Sequence, residues 1–281
     1  MTPRRGFALT ELIVALVIAG IIGVALTRLV VSQSRFVSLQ DGLMHARAGA
    51  RAALNVLADD LRSIGDSGLI AIAADSVTVR IPYASGVACQ KFSGQQVVSL
   101  LPPDGTRYGT ATISGYLWRD SLNSWHPVEP ATLSSGGGYA AVCTSSTPPV
   151  QVLGAPNWPA AAVALSPGVA ATQVGAPVTL YQKVTYRFGP SVELPGRRAL
   201  WRVVPGTGSA DELVAPFDTS ARFQALVGRL LIAQSSAPAN LDSVFGVRAR
   251  LVAASDARPA GRSVPVTFDL TTDFLFRNHA P

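Results

Sequence analysis

Residues 4–31 read RRGFALTELIVALVIAGIIGVALTRLVV. From Phe7 to Leu26 the stretch is apolar except for Thr10 and Glu11, and Arg28 follows just beyond. A helix of about 20 residues spans about 30 Å, the thickness of a hydrocarbon core. Arg4 and Arg5 precede the span, so the positive-inside rule puts the N-terminus in the cytoplasm and the remainder outside. Glu11 is the anomaly. A carboxylate at bilayer depth costs at least about 2.5 kcal/mol on the most lenient scale and marks function by default.

The helical pattern runs on past the span. Phe36, Leu39, Leu43, Ala46, Ala50, Leu54, Leu57, Leu61 and Ile64 recur at intervals of three or four, an apolar stripe on one face. Gln40, Asp41, Arg47, Arg51, Asn55, Asp59 and Arg62 make the polar reverse. No proline falls between Pro3 and Pro82, and SIGDSG (63–68) supplies a stop with Gly65 as the C-cap. At 1.5 Å per residue, one helix from Phe7 to Ile64 would be roughly 87 Å long. The chain therefore divides into residues 1–6 ahead of the span, 7–31 in the membrane, 32–65 as the amphipathic continuation, and 66–281.

Beyond Gly68 the texture is β. Strand-like runs occupy 76–81, 96–101, 110–118, 178–188, 199–204, 244–253, 264–270 and 273–278, while RFQALVGRLLI (222–232) reads as either strand or short helix. Several alternate apolar with polar, as Val247, Ala249 and Leu251 do against Arg248 and Arg250, the half-buried antiparallel pattern. SSGGGY, TSSTPPV and GTGSAD read as loops, and residues 155–177, rich in Ala, Pro and Gly, as a long loop or insertion. The fold class expected is α+β: a long N-terminal helix, its first half membrane-embedded, packed on an antiparallel sheet head.

The composition bounds the function. Of 281 residues 48% are hydrophobic and only 14% charged, enough apolar material for a span and a core. The net charge of +6 comes from scattered arginines, since Lys91 and Lys183 are the sole lysines. No basic run with interleaved aromatics is present, which argues against nucleic acid as a partner. Cys89 and Cys143 lie downstream of an export signal, and two such thiols suggest one disulfide in an oxidising compartment; the alternative is two unpaired core thiols. The histidines His45, His126 and His279 fit no zinc spacing, and no nucleophile elbow or phosphate loop occurs, so nothing points to catalysis or a cofactor. Asp120 and Asn123 in RDSLNS suit a turn better than a calcium site.

Gly6-Phe7-Ala8-Leu9-Thr10-Glu11 followed by the span resembles the type IV prepilin leader. The resemblance implies cleavage between Gly6 and Phe7 by a prepilin peptidase, N-methylation of Phe7, and an assembly role for Glu11 as fifth residue of the mature chain. An ordinary signal peptide ending near GVA (23–25) would leave Glu11 unexplained. In the pilin reading the new amine at Phe7 carries a charge that Glu11 of a neighbour can match. In lipid each charge alone is costly, so pairing favours association in one register. The implied partners are other pilins through the helix, the peptidase, the inner membrane and the pilus assembly platform. The implied places are the inner membrane, with the head periplasmic, and then the pilus. VTYRFGPSVELPGRRALWRVV, GVRARLVAASDAR and DFLFRNHA look similar to PilW-type minor pilins, which are β-rich subunits associated with initiation and the filament tip. A minor pseudopilin of a type II secretion system shares leader, helix and chemistry. A filament-borne DNA-binding or adhesion module is a further alternative.

Overall fold

A single helix, α1 (Leu9–Leu61), carries the N-terminal part of the chain over 53 residues, about 80 Å at 1.5 Å per residue. This computed structural model describes residues 9–276 apart from 66, 102–111, 137, 153–161, 207 and 229. Ile and Val, abundant up to Val31, are only middling helix formers in water. In lipid a helix satisfies its own backbone groups, and that preference overrides propensity. The helix ends at Leu61, four residues before Gly65, so Gly65 is not its C-cap. Ser63 closes it instead, donating from both its backbone N (3.2 Å) and its Oγ (2.6 Å) to the Asp60 carbonyl.

The strands follow as β1 (Leu69–Ile72), β2 (Ser76–Phe92), β3 (Gln95–Leu100), β4 (Gly115–Arg119), β5 (Trp125–Val128) and β6 (Thr132–Ser135). A short helix α2 (Tyr139–Thr144) precedes β7 (Ala162–Ser166), β8 (Pro177–Pro190), β9 (Arg198–Val204), β10 (Ser209–Phe217), β11 (Arg222–Val227) and β12 (Ile232–Gln234). The last two are β13 (Val244–Ala254) and β14 (Thr267–Leu275). They form one sheet in the order β12-β11-β13-β10-β9-β8-β2-β3-β7-β6, with β1 beside β2, β14 beside β13, and the β4–β5 hairpin joined to β8. Every described pairing is antiparallel, so the architecture is α+β.

β2 and β8 are long enough to serve two cores. Their register slips between Pro82 and Ala84. Pro82 cannot donate to the ladder, and a bulge is one of the few places a central strand accepts one. On one side Val77, Val79, Val184 and Tyr186 join the core built with α1, β1, β9–β11, β13 and β14. On the other Ala84, Ala88, Leu180 and Val178 join β3, β4 and β7 in a second core. Gly115 lets β4 approach: a Cβ there would collide with the Tyr181 ring and the Val128 carbonyl.

The C-terminal half of α1 lies against β10, β13 and β14. Ala46, Ala50, Ala53, Leu57, Leu61 and Ile64 are fully buried. Leu54, expected in that row, is half-buried and Ala53 takes its place, while Asp59 and Arg62 face solvent. Phe36 is exposed rather than packed, so the stripe begins to bury later than its periodicity suggests.

Several local expectations change. Within 155–177, residues 162–166 form β7 with four consecutive buried residues, covered on both faces; an alanine-rich run has little β propensity, and tertiary burial decides it. RFQALVGRLLI is a hairpin, not a helix, because Gly228 (φ 69°) and Leu231 (φ 51°) turn the chain between β11 and β12. The runs 264–270 and 273–278 meet in one strand, β14, whose bounds are Thr267–Leu275, and residues 277–278 lie outside the described residues. α2 takes its first residue, Tyr139, from SSGGGY and its last, Thr144, from TSSTPPV, and GTGSAD opens β10 from Ser209.

Candidate functional site

Glu11 sits in the first turn of α1, where the unpaired amides of a helix N-terminus favour a carboxylate. With Val14, Ala15 and Ile18 it lines a shallow groove on one helix face. Gly6 and Phe7 lie outside the described residues. Wherever a side chain is described between Leu9 and Val37 it is exposed, including the large aliphatics Leu12, Ile13, Leu16, Val17, Ile18, Ile21 and Ile22. This part of the helix is long and apolar enough to cross a membrane.

Below Glu11, at four-residue steps, come Ala15, Ala19, Gly23 and Thr27. Such a ridge of small residues lets another backbone come close in lipid. A Cβ at Gly20 or Gly23 would meet nothing within 4 Å, so no packing inside the chain requires either glycine. Thr27 hides its hydroxyl by donating to the Gly23 carbonyl (2.8 Å), as a helix in hydrocarbon demands. Counting small residues at intervals of four would have found the ridge.

Where α1 meets the head, Asp60 accepts a hydrogen bond from the Tyr186 hydroxyl, with the Arg202 Nε 3.8 Å away. Burial, reinforced by the Asp60 charge, pushes the Tyr186 phenol up, so it stays a donor throughout the physiological range. The following connection is held by Arg80, whose guanidinium donates to the Ser67 carbonyl. Glu129 is the hub of a second cluster, accepting from Lys183 Nζ (2.9 Å) and from the Tyr181 hydroxyl (3.2 Å) with Arg80 Nε at 3.9 Å. Burial pushes the Tyr181 phenol up to about 12. Beside this cluster is a cavity of about 190 Å³ lined by Ser85, Leu117, Trp125, Thr179 and Tyr181, among others. Its charged neighbours are committed to each other and to the helix–sheet connection.

Cys89 on β2 and Cys143 on α2 form a disulfide, Cα–Cα 4.7 Å, separated by 54 residues of chain. Val97, Ala162 and Ala164 pack around it, so the bridge fastens α2 to β2, β3 and β7 in a small third core. Asp120 and Asn123 make the β4–β5 turn. The Asp120 carboxylate accepts from Leu122 N (2.9 Å), Ser124 N (2.8 Å) and His126 Nε2 (2.7 Å), and Asn123 takes φ 73°. The His126 hydrogen bond, aided by Ser124, holds the Asp120 carboxyl below its usual range. Among the described residues no group of three or more His, Cys, Asp and Glu could hold a metal ion. The sequence-predicted residues are thus not brought together: Glu11 stands on the bare end of α1, and the disulfide lies in the head beyond the second core.

Residues 1–27 match the model of the prokaryotic N-terminal methylation motif, a span containing Gly6, Phe7 and Glu11. None of the curated proteins or solved structures compared with the chain matches it. Continuous with a long exposed helix and an antiparallel head, the motif supports a type IV pilin-like or pseudopilin-like subunit. Such a precursor is anchored by the helix, processed by prepilin peptidase and assembled with other pilins.

Proposed function

We propose that the chain is a minor type IV pilus subunit of the PilW type that helps to initiate the filament or stands at its tip. On this reading residues 1–6 are a leader, 7–31 the membrane and assembly segment, 32–65 the amphipathic half of the same helix, and 66–281 the head. The N-terminus faces the cytoplasm and the head the periplasm. Peptidase cuts between Gly6 and Phe7, the new amine is methylated, and Glu11 pairs with the amine of an adjacent subunit.

One observation carries the proposal: the methylation motif runs directly into a helix whose side chains, wherever described between Leu9 and Val37, are exposed. An apolar surface of that length needs lipid before assembly and other helices after it. The small-residue ridge below Glu11 suits the second state. A head with a buried disulfide suits an oxidising compartment.

Mass spectrometry of sheared filaments is the test. The expected product begins at N-methylated Phe7, and Gly6→Val leaves an uncleaved precursor in the membrane. Mature chain starting at Phe7 in that variant would overturn the cleavage assignment. A minor pseudopilin carries the same motif, and a deletion strain separates the two. Lost piliation with intact exoprotein secretion supports the pilus subunit, and the reverse supports the pseudopilin.

A further inference from the structure

The strand register gathers two connections at one end of the head. Pro190 pairs with Arg198, Arg198 with Phe217, Phe217 with Ala253, and Ala254 with Thr267. The β8–β9 turn (191–197) and the β13–β14 strap (255–266) therefore emerge side by side, linked by a hydrogen bond from Arg197 Nη2 to the Asp256 carbonyl (3.3 Å). The strap is also the part of the head that grips α1 nearest its bare half. The Ala260 amide donates to Ser38 Oγ (3.0 Å), and Arg35 packs on Gly261, where a Cβ would stand 3.2 Å from its Nε. A Cβ on Gly42 would sit 3.3 Å from that of Ser255, so the glycine permits the close crossing.

This end looks back along α1 toward the apolar span. Arg35 lies about 6 Å along the helix axis from Val31. The headgroup zone on each side of a hydrocarbon core is about 5–7 Å deep. Arg28 and Arg35 are seven residues apart, on the helix face that meets the strap. Arg197, Arg258 and Arg262 stand on the two connections, and the carboxylates of this end are Asp41, Glu193, Glu212, Asp218 and Asp256. Two aliphatic side chains project from the same loops, Val192 at 75% and Val264 at 61% exposure. The turn presenting Val192 is pinned, since Glu212 accepts its amide (2.7 Å).

We propose that this end of the head is a lipid-facing surface that seats on anionic phospholipid headgroups where α1 leaves the bilayer. Its arginines pair with phosphates while Val192 and Val264 enter the interface. The inference rests on the membrane-anchored precursor proposed above. Its consequence is a fixed pose: the head stands against the bilayer until extraction into a filament exchanges lipid phosphates for neighbouring subunits.

The full chain, reconstituted into phosphatidylcholine vesicles with and without phosphatidylglycerol, tests it. Co-flotation reads anchoring by the helix, and hydrogen–deuterium exchange of residues 191–197 and 255–266 reads the surface. Co-flotation in both lipids is expected, with slower loop exchange only when phosphatidylglycerol is present. Arg258→Gln with Arg262→Gln should reduce that slowing by about fivefold per charge at low salt, and Lys at both positions should retain it. Co-flotation with equal loop exchange in the two lipids would overturn the inference while leaving the anchor intact. Slowing by free glycerol phosphate over neutral vesicles would also overturn it, because it would mark a small-anion site. A chain that fails to float would remove anchor and inference together.

Discussion

The two halves of α1 share one unbroken helix but differ in composition and in what covers them. From Leu9 to Val37 the described side chains are exposed, with Ile, Leu and Val on all sides. From Ser38 to Leu61 one face alone is apolar, and its buried row opens with three alanines, Ala46, Ala50 and Ala53, before Leu57 and Leu61. The small residues let β10 and β13 come close: a Cβ on Gly49 would touch Val214 at 3.6 Å and Ala253 at 3.9 Å. An all-round apolar helix with no internal partner is built for an apolar surrounding, and a one-sided helix for a surface. The same chain thus carries an intermolecular segment and an intramolecular one without a break.

Glu11→Ala should break the first half most severely. Insertion and cleavage should persist, because removing a charge from lipid helps the former and the proposed cut between Gly6 and Phe7 does not involve Glu11. Leaving a neighbour's amine buried without its counter-charge typically costs about 3–5 kcal/mol, enough to reduce filament incorporation at least about a hundredfold. Fractionation should find cleaved protein in the inner membrane and almost none in filaments. Normal incorporation would detach Glu11 from assembly.

A matched pair of leucines sharpens the contrast. Leu57→Ala should lower the stability of the detergent-solubilised chain by about 2–5 kcal/mol, since Leu57 is fully buried in the core shared by helix and sheet. Leu16→Ala, 68% exposed, should leave the unfolding transition where it is. Equal effects in denaturant titration would show that the halves are not distinct.

Breaking the disulfide should do less, and do it locally. Replacing Cys89 and Cys143 by serine removes a link across 54 residues, worth about 2–4 kcal/mol in typical cases. The loss should appear first as faster hydrogen exchange in α2, β3 and β7, with the α1 interface unaffected. Peptide mapping without reductant should show the bridge in the native protein.

The smallest effect expected is a pH dependence confined to the head. Ser220 donates to Asp218 from its hydroxyl (2.6 Å) and its amide (2.9 Å), and these bonds hold the Asp218 carboxyl below its usual range. The Arg248 hydrogen bond does the same for Asp273. Folded values below unfolded ones mean that their stabilisation is complete above the unfolded range, near pH 4, and is lost as pH falls through the folded values. The melting temperature should be flat from about pH 5 to 8 and decline below about pH 4. Asp218→Asn should make that decline shallower.

Much of this molecule was legible in its sequence, and the reason is periodicity. The span announces itself by length and the stripe by its spacing. Leu57 and Leu61 follow from that spacing because a helix fixes which residues share a face. The pattern failed where neighbours decide. Ala53 is buried in place of Leu54 because the sheet approaches from a slightly different angle than the apolar stripe suggests. β7 hid in an alanine-rich stretch because its burial comes from strands β3 and β6, distant in sequence. The clusters at Asp60 and Glu129 join residues 126 and 54 positions apart, and no local signal marks such pairs.

By itself the sequence determined the anchor, the motif around Gly6, Phe7 and Glu11, the α+β class and the presence of two cysteines. These are written in short-range terms: hydropathy over about 20 residues, spacing of three or four, alternation of two. Tertiary structure alone decided that one sheet serves two cores through the slip at Pro82, that the bridge expected between Cys89 and Cys143 fastens a short helix, α2, and that the strap crosses α1 at Gly42 beneath the arginines. Each of those depends on which distant strands pair and in what register, and that choice is made by the fit of whole faces rather than by any local run of residues.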